Sequence, residues 1–249
     1  MRVGHDIVTR ATPVIPYGNV AANKGRLFSA SAHRNEMAAG ATNWVLITTP
    51  PTTGRYIYLH ALDVFTSGIQ ARVDVFEAPF KVDTDSAFPI VPTNRNRHGY
   101  PMPASLSLLM GVDPQPTGDG LNVATADDSA NTFSIADDVG IHFPIGSAFL
   151  VAGSSGNDGL YRVVDVEFDD PNTVITVVSV ADETNDGEIF PLGEVIDSVR
   201  LGGAGAAIVA PLALKPDTEY LLAIHNESSI AVDISAWALW SEEPRAEGG

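Results

Sequence analysis

The chain has 249 residues, 45% of them hydrophobic, enough to build the core of one large or two modest domains. Its 31 Asp and Glu against 14 Lys and Arg leave a formal net charge of −17, which opposes the phosphate neutralisation that drives nucleic-acid binding and excludes a nucleic-acid partner. With no cysteine, disulfides, thiolate metal sites and a thiol nucleophile are excluded as well.

The first stretch, "MRVGHDIVTRATPVIPYGN" (1–19), mixes charges with prolines and lacks the apolar run of a signal peptide. No stretch of the chain approaches the roughly 20 apolar residues of a spanning helix, so the expectation is a soluble, unprocessed chain made in the cytoplasm, with no membrane partner. Pro13 and Pro16 block helix, and Val14, Ile15, Tyr17 and Val20 have no periodic pattern of their own. Residues 1–25 are therefore expected to be an arm that buries little by itself, with Val14, Ile15 and Tyr17 as interface candidates.

From there on, apolar residues recur at spacing two, between glycines and prolines spread along the whole chain, which predicts strands. "GRLFSASAH" (25–33) and "TNWVLITTP" (42–50) are the first two. "RYIYLHALDVF" (55–65) and "ARVDVFEAP" (71–79), joined by the short link "TSGIQ", are predicted to pair as a hairpin. The best helical window, "PASLSLLMG" (103–111), is short and bounded by prolines and Gly111, so any helix is incidental. Near the end, "TEYLLAIHN" (218–226) places Tyr220, Leu222 and Ile224 on one face. "AVDISAWALW" (231–240) does the same for Val232, Ile234, Ala236, Ala238 and Trp240, and the two are predicted to form a second hairpin.

Between these two halves the composition shifts, from "VDPQPTGDGLNVATADDSAN" (112–131) to "NDGEIFPLGEV" (185–195), both rich in Gly, Asp and Asn. The interior strands "TFSIA", "AFLVAGS", "LYRVVDVEF" and "TVITVVSV" are separated by turns at Gly146, Asn157–Gly159 and Pro171–Asn172. Such a set can bury its own core, so the expected fold is all-β: a jelly-roll-like β-sandwich interrupted by a small inserted β-barrel or sandwich module. The expected spans are an arm at 1–25, the first part of the sandwich at 26–128, the module at 129–193, and the second part of the sandwich with a C-terminal tail at 194–249.

The residues that could carry chemistry do not assemble into a motif. Six histidines (5, 33, 60, 98, 142 and 225) show no zinc-ligand spacing, and "GSSG" (153–156) lacks the Gly-x-Ser-x-Gly elbow. In "GGAGAAIVAP" (202–211), Ile208 stands where a dinucleotide loop needs a third small residue. Asp182, Thr184, Asp186 and Gly187 are spaced as in a calcium loop, but Gly193 occupies the twelfth position, where a bidentate Glu is required. Asp137, Asp138, Asp169 and Asp170 read as solvated turn residues. No catalytic residue, metal or cofactor is expected. "NRNRH" concentrates Arg95, Arg97 and His98 on an acidic chain and is the second interface candidate, a contact for an acidic partner or a sister subunit. Trp44, Trp237 and Trp240 read as core or subunit-interface residues.

The stretch "NTFSIADDVGIHFPIGSAFLVAGSSGNDGLYRVVDVEFDDPNTVITVVSV" (131–180) resembles a β-module that recurs in tailed-bacteriophage virion proteins. "PTNRNRH" (92–98) and "LALKPDTEYLLAIHNESSIAVDISAWALWSEE" (212–243) are similar to flanking segments of phage structural proteins. That resemblance implies a non-enzymatic virion protein on the capsid surface. It would be a decoration or cement protein bound to the major capsid protein, as a homotrimer. The alternative it leaves open is a tail or baseplate component with a receptor- or glycan-binding role.

Overall fold

The computed structural model describes residues 26–51, 55–67, 70–95, 103–116, 118–202, 206–208 and 212–244. The period-two alternation becomes long strands: β1 (Leu27–Met37), β2 (Thr42–Thr48), β3 (Arg55–Thr66) and β4 (Gln70–Glu77). Shorter ones follow: β5 (Phe88–Pro89), β6 (Thr93–Asn94), β7 (Ser107–Met110), β8 (Leu121–Asn122), β9 (Thr125–Asp127) and β10 (Thr132–Ile135). Next come β11 (Ser147–Ala152), β12 (Gly159–Arg162), β13 (Asp165–Asp169), β14 (Asn172–Thr176) and β15 (Glu188–Gly202). The last four are β16 (Ala206–Ile208), β17 (Leu212–Leu214), β18 (Glu219–Asn226) and β19 (Val232–Pro244). The window at 103–111 forms β7, and the described residues contain a single 3-10 turn at Gly140–His142.

Strand order defines the architecture. One sheet runs β16-β3-β19-β1-β6, with β17 beside β3 in line with β16. The other runs β12-β11-β15-β4-β18-β2-β7-β5, with β8 beside β15. Along the chain, β1, β2, β3 and β4 alternate between the two sheets, β15 lies next to β4, and β16/β17, β18 and β19 alternate again. The inner orders β16/17-β3-β19-β1 and β15-β4-β18-β2 are the paired Greek keys of an eight-stranded jelly roll.

This order corrects both predicted hairpins. β3 and β4 lie in different sheets, as do β18 and β19, so "TSGIQ" and "ESS" are crossovers from one sheet to the other. The physical reason is burial. Ile57, Leu59, Leu62 and Val64 of β3 face Val73 and Val75 of β4 across the core, and the same core takes Tyr220, Leu222 and Ile224 from β18 and Ile234, Ala236, Ala238 and Trp240 from β19. Each apolar stripe read from the sequence does point inward, but it is matched by the opposing sheet. Phe28 and Trp240 stack at 5.7 Å in this core.

The segment between β4 and β15 does two things. β5 and β7 widen one sheet beside β2, and β6 widens the other beside β1. The remainder makes a third sheet, β13-β14-β10-β9, whose apolar face packs on β11, β12 and the start of β15 through Phe133, Phe143, Phe149, Ile175 and Ile189. This sheet does not close on itself: it ends in β13 on one side and in β9, which adds only an isolated bridge from Ala126 to Thr184, on the other, so the module is a sandwich and not a barrel. Its apolar side is already covered by β11 and β15, and its strands of three to five residues leave nothing for closure to bury. The boundaries drawn at 128/129 and 193/194 fall just after β9 and inside β15.

β15 joins the two parts. Its first half pairs with β11 and its second half with β4. It contributes Ile189 to the module core and Phe190 and Leu192 to a third cluster on the outer side of the large sheet. Gly193 sits at a bulge with φ +85°, and a Cβ there would collide with the carbonyl oxygens of Glu77 and Ala78.

Candidate interaction surface

The outer face of the six-stranded sheet carries exposed aromatic side chains. Ile57 and Leu59 point inward, and so do Leu62 and Val64 beyond an irregularity in the β3–β19 register that skips His60, so Tyr56 and Tyr58 before it and Phe65 after it turn outward, 47%, 36% and 48% exposed. The rings of Tyr56 and Tyr58 lie 6.3 Å apart at an interplanar angle of 43°. Across the strands Tyr58 is paired with Ala213 and with Ser241, which is fully buried with its hydroxyl 2.8 Å from His60 Nε2. Trp237 and Leu239 of β19, half-buried, continue the face. An apolar patch of this kind on a sheet exterior is a contact surface by the ordinary rule for soluble domains.

One end of this sheet is built of ion pairs. Arg26, where the described chain starts, places Nη1 2.8 Å from Glu243 Oε2. Glu242 is fully buried, and its carboxylate accepts hydrogen bonds from Arg55 Nη1 (3.0 Å), Ser105 N (2.8 Å), Trp240 Nε1 (3.3 Å) and the Ser105 hydroxyl. A buried carboxylate with this many donors is tied to three segments at once. Arg95 lies at the same end: its backbone N–H donates to Leu27 O at 2.8 Å. The structure thus brings Arg95 to the point where the N-terminal segment joins β1, which the sequence did not indicate. Arg97, His98, Val14, Ile15 and Tyr17 lie outside the described residues.

The outer face of the large sheet carries a polar network. Asp74, almost fully buried on β4, bonds to His225 Nε2 (3.0 Å), the Ser198 hydroxyl (2.5 Å) and Arg72 Nε (2.8 Å). Burial alone would raise its pKa, but the His225 and Ser198 hydrogen bonds and the Arg72 charge outweigh it and bring the carboxyl down to about 2. His225 Nδ1 is 2.8 Å from Thr42 Oγ1, so a hydroxyl, an imidazole and a carboxylate stand in line across β2, β18 and β4. Arg72 also reaches Glu227 at 3.3 Å. The network fastens four adjacent strands on the edge of Trp44, which sits 6.1 Å from His225. Of the three tryptophans, Trp240 is in the core, while Trp44 and Trp237 lie on the two outer sheet faces.

In the module, Asn157 of "GSSGND" organises the loops. Buried, it donates from Nδ2 to Asp182 O (2.8 Å) and Thr184 Oγ1 (3.1 Å) and accepts at Oδ1 from Ala181 N (3.0 Å) and Asp182 N (3.2 Å). Asp186 accepts from Ser155 N and the Ser154 hydroxyl, and the Ser155 N–H bond leads in lowering its pKa. The residues spaced like a calcium loop therefore serve to clamp the 153–159 turn. Asp127, Asp128 and Glu183 bring carboxylate oxygens within 4.8 Å of one another at the exposed rim. Asp137, read as a turn residue, bonds the N–H of Asp138 at 2.8 Å. A depression of about 630 Å³ is lined by Lys81, Asp83, Asp85, Asp113 and Asp119. There Lys81 pairs with Asp119, while Asp83 and Asp113 cap the N–H groups of Asp85 and Gln115.

No family model matches the chain, and no curated protein does. Among solved structures, a chain described as "Structure of infectious bursal disease virus Gx strain" is similar at 14% identity, covering 87% of this chain and 80% of that one, with a TM-score of 0.22. At that score the likeness adds no weight, and the fold stands on its own strand order. Among the described residues, no helix is long and apolar enough to cross a membrane.

Proposed function

We propose that the protein is a non-enzymatic structural component of a tailed-bacteriophage virion, a decoration or cement protein that binds the major capsid protein on the outside of the assembled shell as a homotrimer. The observation that carries this reading is the aromatic outer face of the jelly roll, Tyr56, Tyr58 and Phe65, beside the ionic end where Arg26 and Arg95 meet. A stiff β-sandwich with one apolar face and an arm at its rim can cover a joint between shell subunits, adding buried area without changing shape. The resemblance of residues 131–180 and 212–243 to phage structural proteins supports the same assignment.

The alternative of a glycan-binding tail component draws on the same tyrosines as a sugar platform. Stacking on successive sugars favours rings lying in one plane, and the 43° between Tyr56 and Tyr58 counts against it. Quantitative mass spectrometry of purified particles separates the two. Hundreds of copies per particle, released as trimers on mild dissociation, are expected. A handful of copies, or none, would overturn the shell assignment.

A further inference from the structure

We propose that β13, the end strand of the module's third sheet, is a docking edge that takes up an extended segment of a partner protein in which basic and apolar residues alternate. The inference does not depend on the virion reading. Three observations carry it. The first is the edge itself. β13 pairs with β14 along its whole length and with no other strand among the described residues. The N–H of Val166 donates to Asp165 Oδ1 at 2.9 Å and not to β14, so it faces the open border, and the main-chain groups of Phe168, two positions on, face the same way. Such a border is a template for one more strand.

The second is the apolar side of that border. Val166 and Phe168 share the inner face, opposite the fully buried Ile175 and Thr173. Val166 packs on the module core, whereas Phe168 stands at its rim, 51% exposed, and Ile141, in the 3-10 turn whose Gly140 lies beside Val166, is 84% exposed. Edges shielded against pairing commonly point a charge inward or carry proline. Here the inward face ends in an aromatic ring that an added strand covers. The third is charge. Asp165, Glu167 and Asp169 alternate with these two residues on the solvent face, and Asp170 follows. Among the described residues none of these four is in an ion pair, whereas Asp74, Glu77, Glu242 and Glu243 of the two large sheets are each matched by Arg or Lys. Carboxylates spaced about 7 Å apart along a strand match Lys or Arg at alternate positions of a facing strand, with the apolar residues between them laid on Phe168. The same row excludes a second copy of β13, because antiparallel self-pairing sets carboxylate against carboxylate.

The test uses the full-length protein and two labelled peptides of one composition, the alternating TKVKVKVT and the block-ordered TKKKVVVT, so that net charge is constant. Fluorescence anisotropy, at concentrations up to about 1 mM, is expected to show the alternating peptide binding at least about tenfold more tightly than the other. Hydrogen exchange at the Phe168 amide should slow when it binds. Asp165→Asn/Glu167→Gln/Asp169→Asn should weaken the alternating peptide by at least about tenfold. Phe168→Pro, which removes the border N–H and is tolerated in an edge strand, should bring its affinity down to that of the block-ordered peptide. All four substituted positions are exposed, so an unchanged melting temperature is expected of both variants. Equal affinity for the two peptides, an affinity unaffected by either variant, or unchanged exchange at Phe168 would overturn the proposal.

Discussion

Asp74 and His225, 151 residues apart in the chain, are joined side by side on adjacent strands, with Oδ2 of the carboxylate 3.0 Å from Nε2 of the ring. Because Asp74 is also bound by Ser198 and Arg72, its carboxyl is held near pKa 2, below the ordinary 3.8. A folded-state pKa below the unfolded value adds stability that is fully present above about pH 4 and is lost as pH falls from there through about 2. The contribution is on the order of 2 kcal/mol. Urea unfolding at a series of pH values should show this acid slope in the native sequence. In Asp74→Asn it should be missing, with a loss of about 2–4 kcal/mol at neutral pH because Arg72 then loses its closer carboxylate and keeps only Glu227.

Glu242→Gln tests the ionic end of the six-stranded sheet. The substitution keeps the shape but removes the charge that Arg55 and Ser105 address, and the expected cost is roughly 3 kcal/mol. Hydrogen exchange locates it: the amide of Ser105 should lose protection before the amides in the middle of β19 do.

Asn157→Ala tests the clamp inside the module. It leaves the carbonyl of Asp182 and the N–H groups of Ala181 and Asp182 without their partner, at a cost of about 2–4 kcal/mol. Limited proteolysis is expected to cut within 153–158 and 181–186 in the variant and to leave the native protein intact there.

Gly193→Ala and Gly40→Ala form a matched pair. Both glycines have positive φ, +85° and +71°, but Gly40 has open space where a Cβ would go, whereas Gly193 faces backbone oxygens of Glu77 and Ala78 that cannot rotate away. Gly40→Ala should cost about 1 kcal/mol, the price of the backbone conformation alone. Gly193→Ala should cost more than about 3 kcal/mol by displacing β15 from β4, read as a drop in the denaturant midpoint or as loss of soluble protein.

The sequence by itself determined the all-β class, the positions of β1 to β4, β18 and β19 and the faces that β18 and β19 bury, while β15, the longest strand, ran through a stretch read as a border. Alternation is local: it decides that Trp240, Ile234 and Tyr220 point inward, whereas in β3 the count breaks at His60, and the outward direction of Tyr56 and Tyr58 follows from that irregularity. Of the turn read at Pro171–Asn172, Pro171 does lie between β13 and β14, while Asn172 is already the first residue of β14. Pairing was not legible. An apolar stripe is satisfied equally by a neighbour in its own sheet or by the opposing sheet, and a link as short as "TSGIQ" or "ESS" serves either arrangement. Only the tertiary structure decided that β3 and β4 face each other across a core and that β15 serves the sandwich and the module together. It alone placed Asp74 with Ser198 and His225, Glu242 with Arg55 and Ser105, and Arg95 beside Leu27. Those contacts join residues from well-separated stretches of the chain, and a buried charge is stable only where the whole fold brings its partners to it.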